Sequence, residues 1–237
     1  MSEIKGVIDL SLADWDGKVS SVLFLPRCNF RCPFCQNPAL VLYPEREETI
    51  PFERVEDYLK KQRNWLDGVC ITGGEPTLHS DLPDLCSKLK EMGFMVKVDT
   101  NGTNPTMVEE LIEKELVDYI ALDIKAPFNR EKYSKATGVN AEKLLGKVEE
   151  TMRILMGSKT DYEFRTTVVP TVHGEKDIEE ICRGITGCKK YVLQKFDVSL
   201  GKKTLCSAFS KLKPFTNEEM SMFLAVAQRF LPNVKLR

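Results

Sequence analysis

The chain has 237 residues, with 34 Lys and Arg against 35 Asp and Glu, for a formal net charge of −1. This balance gives no basic face for nucleic acid and no run of like charge that would act as an interaction tail. No apolar run approaches the roughly 20 residues of a membrane span, and MSEIKGVIDL lacks the regions of a signal peptide, so a cytoplasmic protein is expected.

Residues 4–17 read as an irregular lead-in with room for a short hairpin. Residues 18–25 alternate and then become continuously apolar, the pattern of a buried strand. Arg27 to Pro38, RCNFRCPFCQNP, follows, with Cys28, Cys32 and Cys35 spaced C-x3-C-x2-C. Pro26, Pro33 and Pro38 keep this stretch out of helix and sheet. Residues 41–51 form a polar connection, and a helix is expected over 52–65.

A strand over 68–72 runs into Gly73-Gly74-Glu75-Pro76. The helix after it carries Leu82, Leu85, Cys86, Leu89 and Met92 at helical spacing. The strand over 94–98 ends in Asp99-Thr100-Asn101-Gly102, where Asn101-Gly102 has the look of a turn. Asn104-Pro105 then opens a helix as N-cap and first-turn proline. The strand over 117–122 ends in Asp123-Ile124-Lys125, before a helix over 141–156. Strand 162–169, helix 176–185 and strand 191–196 complete the series, with Arg165 and Gln194 on the two strands. Thr216 and Glu219 form a capping box for the last helix.

Six βα units in succession imply a parallel sheet with right-handed crossovers. No GxGxxG follows the first strand, which weakens a dinucleotide-binding reading. Each strand instead ends in a polar or glycine-rich group, and in α/β barrels the site forms at those ends. Six strands are too few to close an eight-stranded barrel. No linker is evident, so one domain is read: a lead-in over 1–17, a core over 18–200 and a C-terminal loop and helix over 201–237.

Three soft thiol donors in one loop make a metal or cluster cradle. Zinc sites usually want four ligands, and both histidines lie far along the sequence. Three thiolates on a four-iron cluster leave one iron open to a ligand. Eight cysteines in such a chain are not a disulfide framework. Cys70 and Cys86 read as buried small hydrophobes. Cys182, Cys188 and Cys206 match no metal motif and read as unliganded thiols, and His173 is placed at the surface.

The cysteine triplet with Phe34 before its last member, followed by GGEP, DTNG and DIK, resembles the radical S-adenosylmethionine (SAM) superfamily. The stretches IKGVIDLSLADWDGK, KYSKATGV and EFRTTVVP resemble the glycyl-radical-enzyme activating proteins, anaerobic ribonucleoside-triphosphate reductase activators above all. The resemblance implies an open (β/α)6 partial barrel. It implies a [4Fe–4S] cluster on Cys28, Cys32 and Cys35, with SAM chelating the fourth iron. Gly73, Gly74 and Glu75 would receive the methionine amine, Phe34 the adenine, and Gln36, Lys125, Arg165 and Gln194 other parts of SAM. Asp99, Thr100, Ala121 and Asp123 would hold a monovalent cation. Arg27 and Gln36 depart from the family's frequent glycine and histidine, and a position requiring φ > 0 would strain Arg27.

The implied reaction is one-electron cleavage of SAM to methionine and a 5′-deoxyadenosyl radical, which takes hydrogen from a glycine of a partner enzyme. The cofactor carries the difficult step, and no side chain acts as acid or base. A low-potential flavodoxin- or ferredoxin-type donor is the implied reductant. Two other readings stand beside this one: a radical SAM enzyme acting on a small molecule or nucleoside, and a non-catalytic iron–sulfur or zinc protein.

Overall fold

Continuously apolar strands need cover on both faces, and a curved sheet ringed by helices supplies it. The computed structural model describes residues 3–237, so Met1 and Ser2 of the lead-in lie outside the described residues. The strands are β1 (Gly6–Ser11), β2 (Ser20–Leu25), β3 (Gly68–Gly73), β4 (Met95–Thr100), β5 (Tyr119–Asp123), β6 (Asp161–Val168), β7 (Tyr191–Lys195) and β8 (Val234–Leu236). They form one open sheet in sequential order. β1 is antiparallel to β2, and every later pair is parallel. β2 to β7 are the six expected core strands.

The helices are α1 (Pro38–Leu42), α2 (Phe52–Lys61), α3 (Leu82–Glu91), α4 (Pro105–Glu113), α5 (Arg130–Thr137), α6 (Glu142–Gly157), α7 (Glu175–Gly184) and α8 (Asn217–Gln228). α3 buries Leu82, Leu85, Cys86 and Leu89, as its spacing requires. Asn104 caps α4, and Thr216 and Glu219 cap α8 reciprocally at 3.2 and 2.7 Å.

Four expectations are corrected. Part of the lead-in is a strand, β1, with a register irregularity between Ile8 and Ser11, and its hairpin partner is β2 itself. The 41–51 connection overlaps the end of α1 and contains a 3₁₀ turn at Pro44–Arg46. α5 was not expected because REKYSKAT buries only Tyr133, Ala136 and Thr137, too few for a periodic signal. β8 is three residues long and adds to the β7 edge.

Side chains alternate between the two faces of a strand, which sorts the polar strand residues into layers inside the barrel. Tyr119 and Asp123 share the inner face of β5, Glu163 and Arg165 that of β6, and Lys97 and Asp99 that of β4. At the strand N-termini the lead-in crosses the barrel floor. Trp15 is buried there against Tyr119, with ring centroids 5.8 Å apart. Asp16 and Glu163 each pair with both Lys190 and Arg237, at 2.6–3.1 Å.

Candidate active site

At the opposite end, the strand C-termini surround a cavity of about 320 Å³. Cys28, Cys32, Cys35, Phe34 and Gln36 line it from the cysteine loop. Gly73, Gly74, Glu75, Asp99, Thr100, Asp123, Lys125, Arg165 and Gln194 line it from the strand ends. Thus every SAM-contact residue expected from the resemblance borders one space. Ala121, expected through its carbonyl, is buried and is not part of the lining.

The loop is held in place by close backbone contacts. Gly74 N–H donates to the Leu25 carbonyl and Glu75 N–H to the Arg27 carbonyl, both at 2.8 Å. A Cβ on Gly74 would lie 1.9 Å from the Arg27 oxygen, and Gly73 sits at φ +116°, so both glycines are required. Arg27 adopts φ +64°, the left-handed conformation that strains a residue with a side chain. Its side chain is exposed beside Glu3.

Burial pushes the Cys28 thiol up to about 11 and Cys32 to about 12, and also raises Cys35. Buried thiols of this kind ionise when a metal draws off the proton. Asn101 Nδ2 and Phe30 N–H both point at the Cys28 sulfur, at 3.8 and 3.4 Å. Donors aimed at a ligating sulfur are the outer shell that iron–sulfur sites use. Asn101 is therefore more than a turn residue. Among the described residues no three His, Cys, Asp or Glu side chains form a single-ion site. A four-iron cluster takes one thiolate per iron, so this donor set fits it better than zinc.

Both histidines, distant in sequence, come close to the loop in space. His79 Nε2 meets the Pro26 carbonyl at 2.8 Å. His173 corrects a surface expectation: it is buried, and its ring lies 6.5 Å from that of Phe34. Its Nδ1 accepts from Val169 N–H, so Nε2 donates to the Lys125 carbonyl. These bonds occupy the ring nitrogens in bracing the cavity wall.

Glu75 is buried, and its carboxylate accepts from Thr77 N–H and Oγ1, Thr100 Oγ1 and Asn101 N–H at 2.6–3.1 Å. Burial raises its pKa in spite of these bonds. Three of the four reach Oε1, which leaves acceptor capacity on Oε2 for an ammonium group.

Beside it lies a buried ionic cluster. Arg165 points inward and bridges Asp99 at 3.1 Å and Asp123 at 2.8 Å. Lys125 binds the other Asp123 oxygen at 2.9 Å, and Lys97 the other Asp99 oxygen at 2.5 Å. Burial disfavours both carboxylates, yet the neighbouring cations hold them below the usual range. Lys97 went unrecognised in the sequence; an inward lysine inside the apolar run VKV was the available signal. β4 also runs on to Thr100, placing Asp99 and Thr100 inside the strand rather than after it.

This cluster occupies the place where the resemblance implies a monovalent cation at Asp99, Thr100, Ala121 and Asp123. Each carboxylate oxygen already has a protein cation, with three positive side chains for two negative ones. The cavity itself is also lined by Asp14 and Glu75, so four carboxylates face it beside Lys125 and Arg165.

Phe34 is buried between His173 and Phe209 at the cavity edge. Gln36 Nε2 donates to the Asp197 carbonyl. Cys182 and Cys188 are buried and Cys206 is exposed.

The Radical SAM superfamily model matches residues 22–184, which includes the cysteine loop and β2 to β6. A protein of Methanocaldococcus jannaschii, provisionally named a glycyl-radical enzyme activating enzyme, is 35% identical over 99% of this chain and 95% of its own length. The pyruvate formate-lyase-activating enzyme of Listeria monocytogenes is 30% identical over 58% of each chain. The crystal structure of Streptococcus suis SuiB bound to S-adenosylmethionine superposes with a TM-score of 0.62 at 17% identity. That likeness speaks for the fold alone, and covers 91% of this chain but about half (51%) of SuiB. With three thiols on one loop, a glycine-lined carboxylate and an ionic cluster at the ends of an open parallel sheet, the chain belongs to the radical SAM superfamily.

Proposed function

We propose that this enzyme installs a glycyl radical on a partner protein of the anaerobic ribonucleotide reductase type. The observation that carries this reading is the 35% identity to an activating-enzyme relative along nearly the whole of both chains. The cavity supports it. At about 320 Å³ it lies at the low end of ligand pockets. It opens at the strand C-termini, where a substrate presented from outside can reach it.

In this reading Cys28, Cys32 and Cys35 hold a [4Fe–4S] cluster. Bound together, cluster and SAM supply one-electron bond cleavage and a hydrogen-atom acceptor. The chain's own residues do the positioning. Glu75 receives the methionine ammonium as a charge-assisted hydrogen bond. Arg165 and Lys125 receive the methionine carboxylate. Phe34 lies against the adenine, and Gln36 and Gln194 reach the ribose or base. Thr100 and Asn101 keep Glu75 in place. The electron comes from a low-potential flavodoxin- or ferredoxin-type donor.

The test is anaerobic reconstitution, followed by reduction and addition of SAM with the candidate partner. One glycyl radical, read by electron paramagnetic resonance, is expected per 5′-deoxyadenosine formed. Cys32→Ala should lose both signals, by more than about 100-fold. SAM cleavage with no glycyl radical on any such partner would overturn the activase reading.

A further inference from the structure

The cluster loop is not open to solvent on every side. Residues 197–212 cross over it as a strap that nothing in the sequence announced. Leu205 N–H donates to the Cys35 carbonyl and Cys206 N–H to the Pro33 carbonyl, both at 2.9 Å. Phe209 lies against Phe34, with ring centroids 6.4 Å apart. Thr204 is buried and ties the strap to itself through Ser210 and the Cys206 carbonyl.

The outer side of this strap is strongly one-signed. Lys202, Lys203, Lys211 and Lys213 are all exposed, and residues 198–217 contain no Asp or Glu. Among the described residues, Lys202 alone of these four is ion-paired, with Asp197 at 2.7 Å. Arg31, on the cysteine loop, adds a fifth cation, exposed and donating to the Cys28 carbonyl. Five exposed cations thus lie on or next to the segments that carry and cross the cysteine loop. A patch of one sign steers a partner of the opposite sign and speeds encounter.

We propose that the lysine strap is the docking surface for an acidic one-electron carrier protein of the flavodoxin type. Its place supplies the reason: the strap bonds directly to the backbone of Cys35, a hydrogen-bonded link from that surface to a cluster ligand. One electron leaves the donor's fully reduced flavin and enters the oxidised cluster; no atom is transferred. The proposal rests on the cluster assigned above but not on the glycyl partner.

The reconstituted protein is mixed by stopped flow with a fully reduced acidic flavodoxin, and bleaching of the cluster absorption is followed. The second-order rate constant should fall about tenfold between low and high salt. Lys202→Glu with Lys203→Glu, and separately Lys211→Glu with Lys213→Glu, should each lower it about tenfold or more at low salt. Photoreduced deazaflavin, a small reductant that needs no docking, should reduce all three proteins at rates within about twofold. Flavodoxin rates unchanged in both double variants would overturn the proposal. So would equal losses with deazaflavin, which would make the strap purely structural. A chain that takes up no cluster fails earlier, at its iron content, and overturns the cluster reading as well.

Discussion

The barrel holds two ionic networks, one at its floor and one at its mouth, which meet on β6. On β6, Glu163 belongs to the floor and Arg165, two residues on, to the mouth. At the floor Asp16 and Glu163 face Lys190 and Arg237, near the Trp15 ring, with the exposed Lys235 3.7 Å from Asp16. At the mouth Asp99 and Asp123 face Lys97, Lys125 and Arg165 and border the cavity. The floor network ties the lead-in and the chain's last residues to β6. The mouth network presents charged groups to a space that a ligand can enter. Buried ions are costly, and at the mouth they adjoin that space.

Arg165→Met should break this contrast most severely. It removes one of two cations from each of two buried carboxylates, and losing one partner of a buried ion pair costs about 3–5 kcal/mol. Urea unfolding should show that loss, and equilibrium dialysis should show SAM binding lost with it. A variant of near-native stability that still binds SAM would remove Arg165 from the site.

Glu163→Gln, at the floor, should cost about 2 kcal/mol, because the hydrogen-bonding shape is kept while the charge is lost. SAM affinity should not change, since the floor does not border the cavity. The same variant sharpens the pH dependence. Burial opposes ionisation of Asp16 and Glu163, but Lys190 and Arg237 overcome it and hold Asp16 at about 2 and Glu163 below its usual value. Groups with depressed folded pKa values give stability that is fully present above their unfolded values. Stability should therefore be level above about pH 5 and fall as acid approaches the folded values. In Glu163→Gln the fall should be shallower, as denaturant midpoints across pH will show.

The smallest effect is expected from the counter-ion. If Lys97 and Arg165 already compensate Asp99, exchanging KCl for choline chloride at constant ionic strength should leave SAM affinity within about twofold. A strong potassium requirement would return the mouth to a metal site.

Much of this molecule was legible in the sequence because local rules govern it. The C-x3-C-x2-C loop, the glycines before Glu75 and the capped helices α4 and α8 are set by short-range sterics and hydrogen bonding. The alternation of apolar runs with helical spacings was enough for a parallel sheet, and for one domain as a reading. The positive φ of Arg27 was foreshadowed only through the resemblance, since nothing in an arginine's own sequence context signals it.

What the tertiary structure decided depends on register and on approach across long separations. The pairing of Asp123 with Arg165 and of Asp99 with Ala121 fixes which charges meet, and a one-residue slip would turn them to the other face. The burial of His173, the role of Lys97 and the lysine strap over Cys35 have no periodic signature. They arise where segments far apart in sequence come together, and no local pattern specifies such contacts.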